Sequence, residues 1–447
     1  MKNIKQIKNI LPIILGCSKN IADSEYLLGN LTEQGFSIVK SSKGADCIII
    51  NTCGFINSSK EESIKMIFEA VNMKRIDNVK SVIVFGCLSQ RYKNELMSQI
   101  KGVDAFFGVD EIQEIINYLK NQDVQLNYSR YSVTPSHYSY LKISDGCDHK
   151  CSYCAIPLIK GKHKSKTIDE ILKEAEVHSL QNVKELNIIG QDTTYYGVDI
   201  YKHRKIAELL QNIQKLNKFE WIRLLYTYPS GFPDELVKTI AESPNICKYI
   251  DIPLQHISDE VLKSMKRNIK KQQIMDLLDK LKKEIPNIAL RTTFIVGYPT
   301  ETKKQFSELL KFIKEYKFDR VGAFTYSFEE GTPAEKLGDK ISSEEKQERL
   351  EELMITQSDI SKELNQKRVG NEYKLLVDYV DESKNFKKNN SRYSAYTGKY
   401  VYVCRSEFDA PEIDNINFIF SDEKFEPGDF IKATIKEASM YDLIGVV

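Results

Sequence analysis

An excess of charge of either sign is missing from this sequence: 64 Lys and Arg face 63 Asp and Glu over 447 residues, a formal charge of +1. No overall field draws the chain onto nucleic acid or an anionic membrane, so any nucleic-acid site has to be a local patch. A disulfide framework is missing too. The nine cysteines are odd in number, and no convincing secretory segment accompanies them. This points to metal or redox use in a reducing compartment, with the cytoplasm as the expected location and no membrane partner. The one candidate leader, lysines followed by "ILPIILG" within Met1 to Gly16, is marginal as the apolar core of a signal. A strand of a few residues explains it equally well, and the test between a lipidated and a metal-binding Cys17 is whether strand-then-cysteine recurs.

It recurs twice. Cys53 follows Ile48 to Ile50 in "DCIIINTCGF", and Cys87 follows Val82 to Phe85 in "SVIVFGCLSQ". Helical patterning comes next each time. After Cys53, Ser58 to Glu61 reads as a capping box, with Ile64, Ile67, Phe68 and Val71 at helical spacing behind it. Strand, cysteine, helix is the punctuation of a doubly wound parallel sheet, expected over residues 1–120. Ligands of such sheets collect beyond the carboxyl ends of the strands, so Cys17, Cys53 and Cys87 can converge. Structural zinc would want a fourth ligand, and none is evident nearby. Cys47, Cys247 and Cys404 lack this placement and read as small buried hydrophobes.

A second trio stands in "KISDGCDHKCSYCAIP", where Cys147, Cys151 and Cys154 follow the strand-like Tyr140 to Ile143 with the spacing C-x3-C-x2-C. A ferredoxin run would bring a fourth cysteine and structural zinc a second pair; neither is present. This stretch resembles the radical S-adenosylmethionine (radical SAM) superfamily. The resemblance implies a [4Fe-4S] cluster on the three cysteines whose fourth iron binds S-adenosylmethionine. Apolar strand-like runs then alternate with helical stretches ("KELNIIGQD", "WIRLLYTYP", "KYIDIPLQH", "IALRTTFIVGYP", "RVGAFTYSF"), six with the cysteine strand. That predicts a partial (βα)6 barrel over residues 140–340, its site at the strands' carboxyl ends. Gln191 and Asp192 stand where the superfamily has a motif near the amino group of S-adenosylmethionine, although Gly-Gln-Asp replaces the usual Gly-Gly-Glu. Gln255, Arg291, Thr293 and Gly297 are further cofactor-binding candidates at or within strand ends. His163, among four lysines, reads as a solvated loop residue.

Residues 121–139 are polar and read as a linker, residues 341–368 as a connecting helix, and residues 369–447 as a small antiparallel β-barrel. The tail holds ten Lys and Arg against fourteen Asp and Glu, a charge of −4. Three-cysteine sheet, radical SAM barrel and β-rich tail, in this order, resemble the methylthiotransferase family over nearly the whole chain. The resemblance implies a second [4Fe-4S] cluster on Cys17, Cys53 and Cys87 that carries sulfur for insertion, and a substrate-binding TRAM domain as the tail. "LGCSKN", "DIPLQHISDEVLKSMKR" and "RSEFDAPEID" look like the branch that methylthiolates the β-carbon of an aspartate on small-subunit ribosomal protein twelve. The tRNA adenosine branch tends to have "GCQMN" at the first cysteine. An acidic tail suits a basic protein better than RNA, and Asp409, Glu412 and Asp414 are expected to form its docking surface. In the family, one S-adenosylmethionine methylates the carried sulfur and a second is cleaved reductively to a deoxyadenosyl radical, which requires a reductase or flavodoxin-type electron donor. Lys160 departs from the arginine common in relatives. A tRNA adenosine methylthiotransferase and an electron-transfer iron-sulfur protein are the alternatives; the latter gains nothing from two open coordination sites.

Overall fold

The structure is a computed structural model and describes residues 7–384, 386, 393 and 395–447. Lys2 and Lys5, which belong to the leader reading, lie outside the described residues. The N-terminal region forms a five-stranded sheet in the order Ser37–Ile38, Asn9–Ile14, Cys47–Thr52, Ser81–Gly86, Ala105–Phe106. Every neighbouring pair is parallel. Side chains of one strand alternate between two cores: Ile49 meets Leu27, Leu28 and Ile115 on one face, while Ile48 and Ile50 meet Ile67, Leu88 and Leu96 on the other. Helices therefore cover both faces, as a doubly wound sheet requires.

The expected capping box is absent. The helix Asn57–Ile76 begins one residue before Ser58, its N-cap is Ile56, and no side chain caps it. Ser58 is already inside the first turn, where its hydroxyl cannot serve as an N-cap. Only part of the expected apolar stripe faces inward: Ile67 is fully buried and Phe68 is 54% exposed.

The central region has six parallel strands in two sheets of three. One contains Tyr138–Lys142, Glu185–Ile189 and Trp221–Leu224; the other contains Tyr249–Asp251, Ala289–Val296 and Arg320–Thr325. Where the two sheets meet, Ile222 forms an isolated parallel bridge with Ile246, just before the second sheet, and the Thr227 N–H donates to the Asp251 carbonyl at 2.9 Å. Among the described residues the first and last strands do not pair with each other, so the barrel is partial. The helix Ser18–Glu33 of the N-terminal region packs along its first strand.

The helix Ser343–Gln366 leads to a closed five-stranded barrel of Glu372–Glu382, Tyr400–Ser406, Asn417–Ser421, Phe430–Ala438 and Leu443–Val446. Asn417–Ser421 and Leu443–Val446 run parallel, which corrects the expectation of a wholly antiparallel barrel. Directions cannot alternate all the way round a ring with an odd number of strands. Between its second and third strands the tail sends Phe408 and Ala410 against Tyr138, Tyr140, Trp221 and Tyr249, plugging the end of the central barrel where the strands begin. Among the described residues no helix is long and apolar enough to cross a membrane.

Candidate active site

Two glycines set the N-terminal trio at its strand exits. Gly16 (φ +95°) precedes Cys17 and Gly86 (φ +100°) precedes Cys87. Both occupy backbone that side-chain-bearing residues avoid. A Cβ on Gly16 would also stand 3.0 Å from the Cβ of Cys53, and one on Gly86 would stand 2.3 Å from Asn51 Oδ1. Cys17 is the N-cap of the helix Ser18–Glu33 and Cys87 opens the helix Cys87–Gln99. Each thus sits at the positive end of a helix dipole, which favours a thiolate or an anionic cluster. Ser63 fixes Cys53 from both sides: its hydroxyl accepts the Cys53 N–H at 3.0 Å and donates to the Cys53 carbonyl at 2.9 Å.

The second trio lies on the loop after the first barrel strand. The Cys147 N–H donates to the Gly161 carbonyl at 3.1 Å, and Cys154 N–H to Cys151 O at 3.2 Å. Tyr228 OH is 4.0 Å from Cys151 Sγ, and Arg267 lies 3.9 Å from the same sulfur. His149, between the first two cysteines, stacks on Tyr228 with ring centres 3.8 Å apart and bonds Asp192 Oδ2 at 2.7 Å.

All six cysteines line one cavity of about 760 Å³. Gln191, Gln255 and Thr293 line it as well, together with residues the sequence reading did not single out: Lys19, His149, Tyr153, Tyr226, Tyr228 and Arg267. Two of these had a readable signal, because Tyr226 and Tyr228 follow directly on an apolar strand run, "WIRLLYTYP". Burial pushes the thiols of Cys87, Cys147 and Cys154 up to about 12, and raises that of Cys53. Loading metal onto them must therefore displace protons.

Three cofactor-binding expectations are corrected by their surroundings. Asp192 is 2% exposed and stands behind the cavity wall, where it holds His149 and accepts the Thr194 N–H at 2.9 Å. Arg291 points to the opposite end of the barrel, pairing with Asp251 at 2.9 Å and Asp414 at 3.3 Å. The Gly297 N–H is spent on Glu301 Oε2 at 3.0 Å, and Lys346 fills the space above its α-carbon. His163 is not solvated: it is 6% exposed, bonds Ser165 at 3.0 Å and packs edge-on against Tyr195. Burial lowers its pKa. Cys47, Cys247 and Cys404 are buried.

The acidic docking surface is also corrected. Asp409 and Asp414 are sealed between tail and barrel, Asp409 against Arg320 at 2.5 Å and Asp414 against Arg291 and the Tyr249 hydroxyl, the latter at 2.6 Å. Glu412 accepts from Tyr138 OH at 2.9 Å and Tyr140 OH at 3.3 Å. These carboxylates join domains, and Asp409 and Asp414 leave nothing for a second protein to touch. Lys160 makes contacts of its own, to Asp23 at 3.2 Å and Asp145 at 3.3 Å, and its charge opposes the effect of burial on the Cys87 thiol.

The donor set suits iron-sulfur chemistry. Among the described residues no three His, Cys, Asp or Glu side chains are grouped so as to hold a single metal ion; a four-iron cluster instead takes one thiolate on each of several irons. The buried Oε1 of Gln255, on the same wall, lacks a partner, leaving an acceptor for a cofactor's polar group.

A parallel six-stranded barrel with its cysteine loop at the carboxyl end matches the Radical SAM superfamily over residues 141–313, and that is the class of enzyme this fold and site define. Residues 10–108 match the Uncharacterized protein family UPF0004, and residues 369–447 match the TRAM domain. The chain is 46% identical over 438 residues to the ribosomal protein uS12 methylthiotransferase RimO of Chloroherpeton thalassium, covering 97% of both chains. It is 45% identical to the protein of that name from Desulforamulus reducens, over 96% of this chain and 97% of that one. The chain belongs to the RimO family of radical SAM methylthiotransferases. Among solved structures, the radical S-adenosylmethionine methyltransferase TsrM from Kitasatospora setae, with cobalamin and a [4Fe-4S] cluster bound, shares the fold. The TM-score is 0.53 at 14% identity, over 74% of this chain and 77% of that one.

Proposed function

We propose that the protein attaches a methylthio group to the β-carbon of an aspartate on ribosomal protein uS12. In this reading Cys147, Cys151 and Cys154 hold one [4Fe-4S] cluster, and Cys17, Cys53 and Cys87 hold a second. The observation that carries it is the single cavity lined by both trios, since a radical made at one must meet sulfur held at the other. When bound, these groups supply a deoxyadenosyl radical from S-adenosylmethionine on the barrel side and the sulfur on the N-terminal side.

The chain's own work follows from the substrate bond. An unactivated C–H cannot be deprotonated by a side-chain base, so no residue is needed as one; the residues position and shield. Gln191, Gln255 and Thr293 are the polar groups offered to S-adenosylmethionine. Phe55, Ile56, Tyr153 and Phe324 line the cavity with apolar surface, which keeps water from a reactive carbon centre. A reductase or flavodoxin-type protein delivers the electron.

Mass spectrometry of uS12 and bulk tRNA after incubation with reconstituted enzyme tests this. The expected result is a methylthio mass increment on one aspartate of uS12. An increment on tRNA with none on uS12 would replace the substrate.

A further inference from the structure

Among the described residues four basic side chains line the cavity, and three of them are engaged. Lys160 lies between Asp23 and Asp145. His149 is bonded to Asp192, and Arg267 reaches Cys151 Sγ and the Pro253 carbonyl. Lys19 differs. It is 7% exposed, yet among the described residues its ammonium has only the face of Tyr226 for a partner, 3.0 Å from the ring centre. Among the described residues on the cavity lining the one carboxylate is Glu62, an exposed rim residue that does not pair with it. An aromatic face attracts an ammonium without using up its N–H donors. A buried ammonium that lacks an anion is costly to keep.

The platform beneath Lys19 is itself held under strain. Tyr226 has φ +59°, a left-handed backbone that a bulky residue adopts only when its surroundings impose it. Asp251 Oδ2 accepts its N–H at 3.0 Å, and its carbonyl accepts from the Thr193 N–H at 3.0 Å. Its hydroxyl meets Ser18 Oγ at 3.0 Å. The ring is thereby fixed between the barrel and the loop that carries Cys17, and Lys19 is two residues beyond that cysteine.

We infer that Lys19 is the specificity-determining cation that receives the side-chain carboxylate of the substrate aspartate. This rests on the aspartate substrate proposed above. The carboxylate is bonded directly to the β-carbon, so anchoring it on an ammonium beside Cys17 holds that carbon in the space between the two cysteine trios. The Tyr226 ring backs the ammonium from one side and leaves its remaining donors to the ligand.

The test uses the cluster-loaded enzyme with S-adenosylmethionine and fluorescently labelled uS12 in two forms: the natural protein, and one with asparagine at the modified aspartate. Affinities are compared for wild type, Lys19→Met and Lys19→Gln, the last keeping a polar group against Tyr226. Wild type should favour the aspartate form by roughly tenfold to a hundredfold, the range for a hydrogen bond to a charged group. Both variants should lose that preference by weakening the aspartate form alone. An unchanged preference in either variant would overturn the role of Lys19. Modification of the aspartate by a wild type that binds both forms equally would overturn it too, with the substrate reading intact. Failure of wild type to modify the aspartate at all would remove the substrate reading and this inference together.

Discussion

Glu329 and Arg91 meet at 2.7 Å across the seam between the barrel and the N-terminal region, and Lys60 reaches the same carboxylate oxygen at 2.7 Å. The Glu329 side chain is 3% exposed, so two cations share one buried anion beside the active-site cavity. Removing one partner of a buried pair leaves an uncompensated charge and typically costs about 3–5 kcal/mol.

Glu329→Gln should therefore loosen the seam. The chain has several domains, so a global unfolding energy is not the right readout. Hydrogen exchange should rise in the helix Cys87–Gln99 and around Glu329, and product formation should slow. Unchanged exchange at both places would mean that the pair does not hold the seam closed.

The plug beneath the barrel is predicted to be sensitive to acid. The Asp409 carboxyl is held below its usual value: burial pushes it up, and the Arg320 and Arg368 guanidinium groups together with the Ser406 hydroxyl outweigh that. A depressed carboxyl stabilises docking above its ordinary value of about 3.9, and that contribution is lost as pH falls below it. Asp414 has the opposite sign, because burial leaves its pKa raised, and it offsets part of the loss. The single tryptophan, Trp221, is a built-in reporter, packed edge-on against Phe430 of the tail with ring centres 4.9 Å apart. In cluster-free protein its emission should shift to the red as acid frees the tail. Asp409→Asn should show that shift already near neutral pH. Identical titrations for variant and wild type would contradict the role given to this pair.

Much of the architecture was legible because its signals are local. Strand, cysteine, helix recurs along the chain, and the parallel-sheet rule places all three cysteines at one edge. Six apolar runs alternating with helical stretches gave the barrel. Signals that need partners distant in sequence could not be read. Asp409 and Asp414 look like a solvated acidic loop until Arg320 and Arg291 are seen facing them. His163 sits among lysines, yet its ring turns inward to Ser165 and Tyr195. Lys19 carried a hint, its place beside Cys17, but its isolation from carboxylates is a fact of packing. At Ser58 the capping pattern was present, but the helix had already begun.

Arg267 is predicted to tune the barrel cluster. Its guanidinium is buried, lies 3.9 Å from Cys151 Sγ and covers the Tyr228 ring at 4.1 Å. A buried cation beside a cluster sulfur favours the reduced, more negative state. Arg267→Gln should move the reduction potential to more negative values in an EPR-monitored titration. A potential equal to that of wild type would assign Arg267 to packing alone.

Iron content gives an independent count. Anaerobic reconstitution should load about eight iron atoms, as two four-iron clusters. Replacing Cys147, Cys151 and Cys154 together by alanine should remove half. Full retention of iron would show that these cysteines are not ligands.

The division of labour between the trios is tested most directly by replacing Cys17, Cys53 and Cys87 together by alanine and assaying both products in one reaction with uS12. The variant should still form 5′-deoxyadenosine, because Cys147, Cys151 and Cys154 are intact, and should yield no methylthiolated uS12. Methylthiolated uS12 at the wild-type level from that variant would contradict the assignment of sulfur delivery to the N-terminal trio.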